Sequence, residues 1–186
     1  MSRLDAVIVG AGPNGLAAAV ALARRGRAVL VREAASSIGG GARSAELTLP
    51  GFVHDVCSAV HPLALSSPFF RELGLDRAID WIQPTAPLAH PFDDGTAALL
   101  ERSLDETAAR LGVDGRAYRR LIGPLAIRWH ELTPDLLAPL RVPRRPLAMA
   151  RFGLRALRPA LSLARSRFRG ERARALFIGI AAHSIV

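Results

Sequence analysis

Three glycines, Gly10, Gly12 and Gly15, sit in the hexapeptide GAGPNG, and an acid, Glu33, follows eighteen residues after the last of them. Residues of these types at this spacing can hold a dinucleotide. Gly10 lets the chain turn sharply, Gly12 leaves room for a pyrophosphate to approach the backbone, and Gly15 lets a helix pack closely on a strand. Pro13 and Asn14 complete the turn at a helix N-terminus, where unpaired N–H groups and the helix dipole favour an anion. Glu33 stands where such a fold puts an acid beside the adenosine ribose to accept hydrogen bonds from its hydroxyls. Its charge disfavours a 2′-phosphate, and so NADP. A second glycine-rich stretch, GGGAR at residues 39–43, can present backbone N–H groups from Gly39, Gly40 and Gly41. Arg43 adds a permanent cation able to grip phosphate oxygens in bidentate fashion. The alternatives are a turn that binds nothing, a solvated Glu33, and a flexible loop with a solvated arginine.

The elements that must position these residues are legible around them. Residues 6–9 are short, apolar and β-branched, as a buried parallel strand should be. A helix over residues 14–25 places Leu16, Ala19, Val20 and Ala23 on one stripe, and Gly26 stops it. A second strand covers residues 28–31. Strand, turn, helix, strand and acid fall in register within one unit of about thirty residues, which a lone glycine motif would not. A signal peptide or membrane helix is excluded over residues 6–23 by the early glycines and proline, by Asp5, and by the lack of a basic leader.

These residues resemble a family. The GAGPNG turn, Glu33, the GGGARS loop and PGFVHDVCSAVHPLA at residues 50–64 are similar to the FAD-dependent oxidoreductases related to phytoene desaturase and the amine oxidases. The closest likeness is to the phytoene-dehydrogenase-like, pyridine-nucleotide-disulphide-oxidoreductase-domain subgroup. The resemblance implies that Gly10, Gly12, Gly15 and Glu33 bind the ADP half of FAD, with Gly40, Gly41 and Arg43 against its phosphates. It is strong over residues 5–64 and looser beyond, resting on SPFFRELGL, PLAHPFDDG and the helical run to Ser184. Members are several hundred residues long, only two parallel strands are visible here, and the chain stops inside an apolar run; it is expected to be the N-terminal part of a longer enzyme.

The remaining composition excludes more than it assigns. Half the residues are apolar, as in a globular class able to bury a core. The single cysteine, Cys57, rules out an internal disulfide or CxxC pair and suits a reducing, cytoplasmic compartment. With His54 and His61 nearby it could be a catalytic thiol, but a small buried cysteine is the commoner outcome. Histidines 54, 61, 90, 130 and 183 form no HxH or HxxxH pair, so no metal site is expected. The net charge of +9 is carried by arginine alone, since the chain has no lysine. Eleven arginines lie within residues 141–174 against one acid, Glu171. Arg151, Arg155 and Arg158, then Arg165, Arg169 and Arg172, follow helical spacing, with Leu154, Leu157, Leu161 and Leu163 between them. A solvated or acid-paired helix face is the simpler explanation; peripheral contact with anionic lipid is the other. Few aromatics and no motif accompany the charge, so nucleic acid is not an expected partner.

The expected organisation is an α/β chain. Residues 1–60 form the Rossmann-like start of a dinucleotide domain, and 61–186 a mostly helical substrate or cap region with one hairpin. A short helix is expected from Pro62 to Leu75, strands over residues 81–90 and 96–100 about an Asp93-Asp94-Gly95 turn, and a Ser103/Glu106 capping box. A helix over residues 115–131 is expected to bend near Pro124, and prolines 134, 139, 143 and 146 to mark a linker. The function these features imply is an FAD-dependent oxidoreductase acting on a small, apolar substrate, with no catalytic acid, base or nucleophile nameable from sequence. The alternative is a dinucleotide-binding module, for FAD or NAD, without redox activity of its own.

Overall fold

Hydrogen bonds between Asp5 and Ala28 bring two apolar runs side by side in the computed structural model, which describes residues 3–183. The Asp5 amide donates to the Ala28 carbonyl at 2.8 Å, and the Asp5 carboxylate accepts the Ala28 amide at 2.9 Å. From there β1 (Ala6–Val9) and β2 (Val29–Arg32) run parallel with Ala6 opposite Val29, connected by α1 (Pro13–Ala23). This is the expected βαβ unit, and the fold class is Rossmann-like α/β. The strands are not buried as a parallel pair was expected to be. One helix covers one face only, so alternate residues stay open and Val9 is 86% exposed. The stripe on α1 is also rotated: Gly15, Leu16, Ala19 and Leu22 are half-buried, while Val20 and Ala23 are exposed. Its sequence, PNGLAAAVALA, is apolar on every side and therefore fixes no phase. A hairpin, β3 (Ser44–Glu46) against β4 (Val53–Asp55), completes a unit that ends at Pro62. Three-residue strands are too short for alternation to reveal them.

The second unit, from Leu63 on, holds the larger core. Pro68 splits the expected helix at 62–75 into α2 (Pro62–Ser66) and α3 (Pro68–Glu72), and α4 (Leu75–Ala78) follows after Gly74. Ser67 caps α3 by accepting the Phe70 amide. The hairpin forms as β5 (Leu88–Pro91) and β6 (Ala97–Leu100), with Asp94 accepting both the amide and the hydroxyl of Thr96 and Gly95 at φ +79°. Its first strand begins at Leu88, not residue 81, because Pro84 and Pro87 cannot donate to a ladder. Ser103 accepts the Glu106 amide to start α5 (Leu104–Arg110). Then α6 (Gly115–Ile127) carries Pro124 and α7 (Trp129–Leu136) carries Pro134 inside the helix. The linker expected from Pro134 on therefore begins later, after α7. A proline removes a single bond that neighbouring turns can tolerate, and the break falls at Arg128, between the two helices.

The C-terminal helices α8 (Pro146–Ala156), α9 (Ala160–Arg167) and α10 (Glu171–Ala182) follow. Tyr118, Leu121, Leu163, Phe168 and Leu176 pack with Ala98 and Ala108 into one cluster. Gly179 on α10 leaves room for the His90 ring, which a side chain there would strike. The spacing of Arg165, Arg169 and Arg172 does not make one helix face. Phe168 is drawn into the core and the chain breaks between α9 and α10. Asp114, 2% exposed, spans that break by accepting the amides of Arg169 at 2.8 Å and Gly170 at 2.6 Å. Ser184 and the end of the apolar run lie outside the described residues. Among those described, no helix is long and apolar enough to cross a membrane, and no cluster of His, Cys, Asp and Glu could hold a metal ion.

Asp114→Ala strands two part-buried amides at the start of α10 and lowers the unfolding free energy by about 1–3 kcal/mol, read from urea denaturation followed by helical circular dichroism. A change below about 0.5 kcal/mol would show that the cap contributes nothing.

Candidate dinucleotide site

The site grows from the end of β1. The Gly10 amide donates to the Arg32 carbonyl at 2.7 Å, so the parallel ladder runs one residue past the strand before the chain turns at Gly10, φ +94°. Gly12 is the extended N-cap of α1, without a side-chain cap, and the first helical turn contains no acid. Pro13 has no N–H to place, and the amides of Asn14 and Gly15 make no hydrogen bond among the described residues; the first helical bond runs from Leu16 to the Gly12 carbonyl at 2.9 Å. An anion-seeking helix end is thus left open beside Gly12.

The glycines differ in what they are for. A Cβ on Gly15 would run into the Gly10 carbonyl oxygen, so Gly15 serves helix–strand packing. A Cβ on Gly12 would meet only the Gly40 Cα at 3.6 Å, an ordinary contact, whereas one on Gly40, φ +55°, would come within 2.9 Å of the Gly12 Cα. The two glycine segments therefore face each other, tied by the Gly39 amide donating to the Ala11 carbonyl at 2.8 Å. Gly40–Ala42 form a 3₁₀ turn, and Arg43 Nε donates to the Gly40 carbonyl at 2.9 Å. That contact commits one nitrogen of Arg43 to the loop and leaves its end-on Nη pair for a phosphate. After β4 the chain returns along the loop. Val56 donates to the Arg43 carbonyl and Ser58 to the Gly41 carbonyl, which sets the Cys57 thiol opposite Gly41. Cys57 is exposed, not buried as a structural cysteine was expected to be. His61 bonds Ser58 and His54 bonds Thr48, and neither bonds the thiol.

Glu33 does something the sequence did not show. One carboxylate oxygen accepts the Ala11 amide at 2.7 Å, and the other accepts the Ala35 amide at 2.9 Å. These bonds, first from Ala35 and then from Ala11, hold its carboxyl below the ordinary value of 4.5, with the Arg43 guanidinium acting in the same direction and partial desolvation opposing. Each oxygen keeps a second acceptor position for a ribose hydroxyl. The clamp on Ala11 could not be read from sequence, because its partner is a backbone amide that every residue carries. The structure thus brings Gly10, Gly12, Pro13, Asn14, Gly15, Glu33, Gly40, Gly41 and Arg43 into one cradle. It adds Ala11 and Gly39 as the link between its halves.

Comparison with known proteins agrees with this geometry. Residues 8–73 match the model of the NAD(P)-binding Rossmann-like domain family. A limonene dehydrogenase component from Castellaniella defragrans (strain DSM 12143 / CCUG 39792 / 65Phen) is 31% identical over 108 residues, which are 58% of this chain and 19% of that protein. The chain therefore spans about a fifth of the length of the curated relative it matches. Residues 8–73 are thus similar to the Rossmann-like dinucleotide-binding family, and the β1–α1–β2 unit of the present chain has the matching topology.

Two results should separate packing from binding. Gly15→Ala costs folding of the N-terminal unit, seen as early loss of structure on heating. Gly12→Val leaves circular dichroism near wild type but abolishes ADP binding by calorimetry; unchanged binding would remove Gly12 from the cradle. Glu33→Ala weakens ADP binding about ten- to a hundredfold. Because the Glu33 carboxyl is depressed in the folded chain, its contribution to the stability of the turn is complete above pH 4.5 and is lost as pH falls through the lower folded value. The stability difference between wild type and Glu33→Gln, read from thermal unfolding, is accordingly constant from neutrality to about that pH and shrinks below it.

Proposed function

We propose that this chain carries the ADP-binding half of an FAD site in an oxidoreductase of dehydrogenase or desaturase type. The observation that carries the proposal is the join between the glycine turn and the GGGAR loop, Gly39 to Ala11 with Gly40 against Gly12. Its two sides carry different kinds of potential phosphate donor: the free amides of Asn14 and Gly15 on the glycine turn, and the Nη groups of Arg43 on the loop. The donor set fits a pyrophosphate, and Glu33 fits the adenosine ribose beyond it. A loop that reaches the phosphates from a second side is what favours FAD over NAD.

When bound, the flavin would supply hydride removal from a C–H, C–C or C–N bond, and the residues described here would bind and orient it. Gly12 and Gly40 would admit the pyrophosphate against bare backbone. Arg43 would neutralise its charge, and Glu33 would fix the adenosine end while holding the turn closed through Ala11. The similar dehydrogenase component is named for an apolar hydrocarbon, which supports a small apolar substrate for the enzyme to which this chain contributes. The lone, unpaired Cys57 suits a reducing compartment such as the cytoplasm.

A second reading, a dinucleotide-binding module with NAD as occupant and no redox activity of its own, is favoured by the matched family's description as NAD(P)-binding. One experiment separates the two. The purified 186-residue chain is incubated with excess FAD, gel-filtered and scanned; flavin absorbance co-eluting with folded protein supports the FAD assignment. Well-folded, colourless protein that binds NAD would overturn it in favour of the module.

A further inference from the structure

The second unit contains a cleft of about 670 Å³ between α6, α7 and α8, and no residue of the dinucleotide cradle lines it. Its walls are apolar: Leu104, Leu125, Ile127, Leu132 and Phe152. Four arginines, Arg119, Arg128, Arg151 and Arg155, also line it, with no acid among the lining residues. The pairing of these and neighbouring cations is uneven. Asp105 holds Arg119 at 2.6 Å, and outside the cleft Asp135 holds Arg141 at 3.1 Å and Glu131 holds Arg145 at 3.2 Å. Arg128, at the break between α6 and α7, and Arg151 and Arg155, one turn apart on α8, have no acidic partner among the described residues.

Three like charges around one apolar cavity repel one another, and an anion relieves that repulsion. A second cleft of about 460 Å³ shares Leu125, Phe152 and Arg155 with the first and continues the apolar surface past Leu163 and Phe177. The volumes are those of a small-molecule site. Helix α8 buries no residue of its own, so a ligand filling the cleft would supply packing that the helix lacks.

From this juxtaposition we propose that the cleft between α6, α7 and α8 binds a single-chain anionic amphiphile, its carboxylate or phosphate head on Arg128, Arg151 and Arg155 and its hydrocarbon chain on Leu125, Leu132 and Phe152. The head explains the unpaired cations, and the chain explains the apolar walls between them. Neither an inorganic anion nor a neutral hydrocarbon satisfies both.

Calorimetric titration of the 186-residue chain with octyl and decyl phosphate, each below its micellar concentration, tests this. Saturable one-to-one binding is expected, tightening about 4- to 15-fold from octyl to decyl as one or two more methylenes are buried. Arg151→Gln combined with Arg155→Gln should weaken it at least tenfold with helical circular dichroism retained. Ala148→Trp, which fills the cleft from α8 and leaves the arginines, should weaken decyl phosphate while sparing inorganic phosphate. Equal affinity for inorganic phosphate, or for decyl maltoside, would overturn the proposal. So would adsorption to phosphatidylglycerol vesicles without binding of monomeric decyl phosphate, which would make the arginines a membrane-facing surface.

Discussion

Ala11 is held from both sides, and the geometry of the N-terminal unit depends on it. Its amide is bonded by the Glu33 carboxylate at the end of β2, and its carbonyl by the Gly39 amide at the start of the second glycine loop. A three-residue turn between a strand and a helix has few ways to be fixed, because it has no ladder of its own. Here its fixing groups come from the two segments that would complete a dinucleotide site. The acid that would meet the ribose also sets the turn that would meet the pyrophosphate, so the two ends of the cradle are mechanically linked.

That linkage explains why the glycines are not interchangeable. Gly15 is required by packing against the Gly10 carbonyl and Gly40 by its approach to Gly12, whereas Gly12 itself has ordinary backbone angles and an added Cβ there would make only an ordinary contact with Gly40. A residue with neither conformational nor packing need for glycine is one whose missing side chain makes room for something else. The exposed Cys57, set opposite Gly41 by the return of the chain after β4, shows how closely the cradle is backed by its own hairpin.

The two units are stabilised differently. In the first, Ala11 is the one buried residue among those described, and backbone and carboxylate hydrogen bonds do the organising. The second has a true apolar cluster around Phe168 and Leu176, with Asp114 satisfying the amides where the chain breaks between α9 and α10. Its arginines are likewise not one surface: Arg172 sits over the Phe92 ring and Arg174 bonds the Phe168 carbonyl, while Arg128, Arg151 and Arg155 face a cleft without acids.

The βαβ unit, the turn at Asp94-Gly95 and the Ser103 cap were legible in sequence, because each rests on local chemistry: β-branched runs, residues that tolerate positive φ, and a hydroxyl placed before a helix. The residues singled out for a dinucleotide do gather around Ala11, since the close approach of Gly12 and Gly40 and the packing of Gly15 are requirements that glycine carries in its type and spacing. What only the tertiary structure decided is how those members are joined. The Glu33–Ala11 clamp, the Gly12–Gly40 contact, the phase of an all-apolar α1 and the break that separates Arg165 from Arg172 depend on groups distant in the chain or on backbone atoms common to every residue. Local propensity has no access to either.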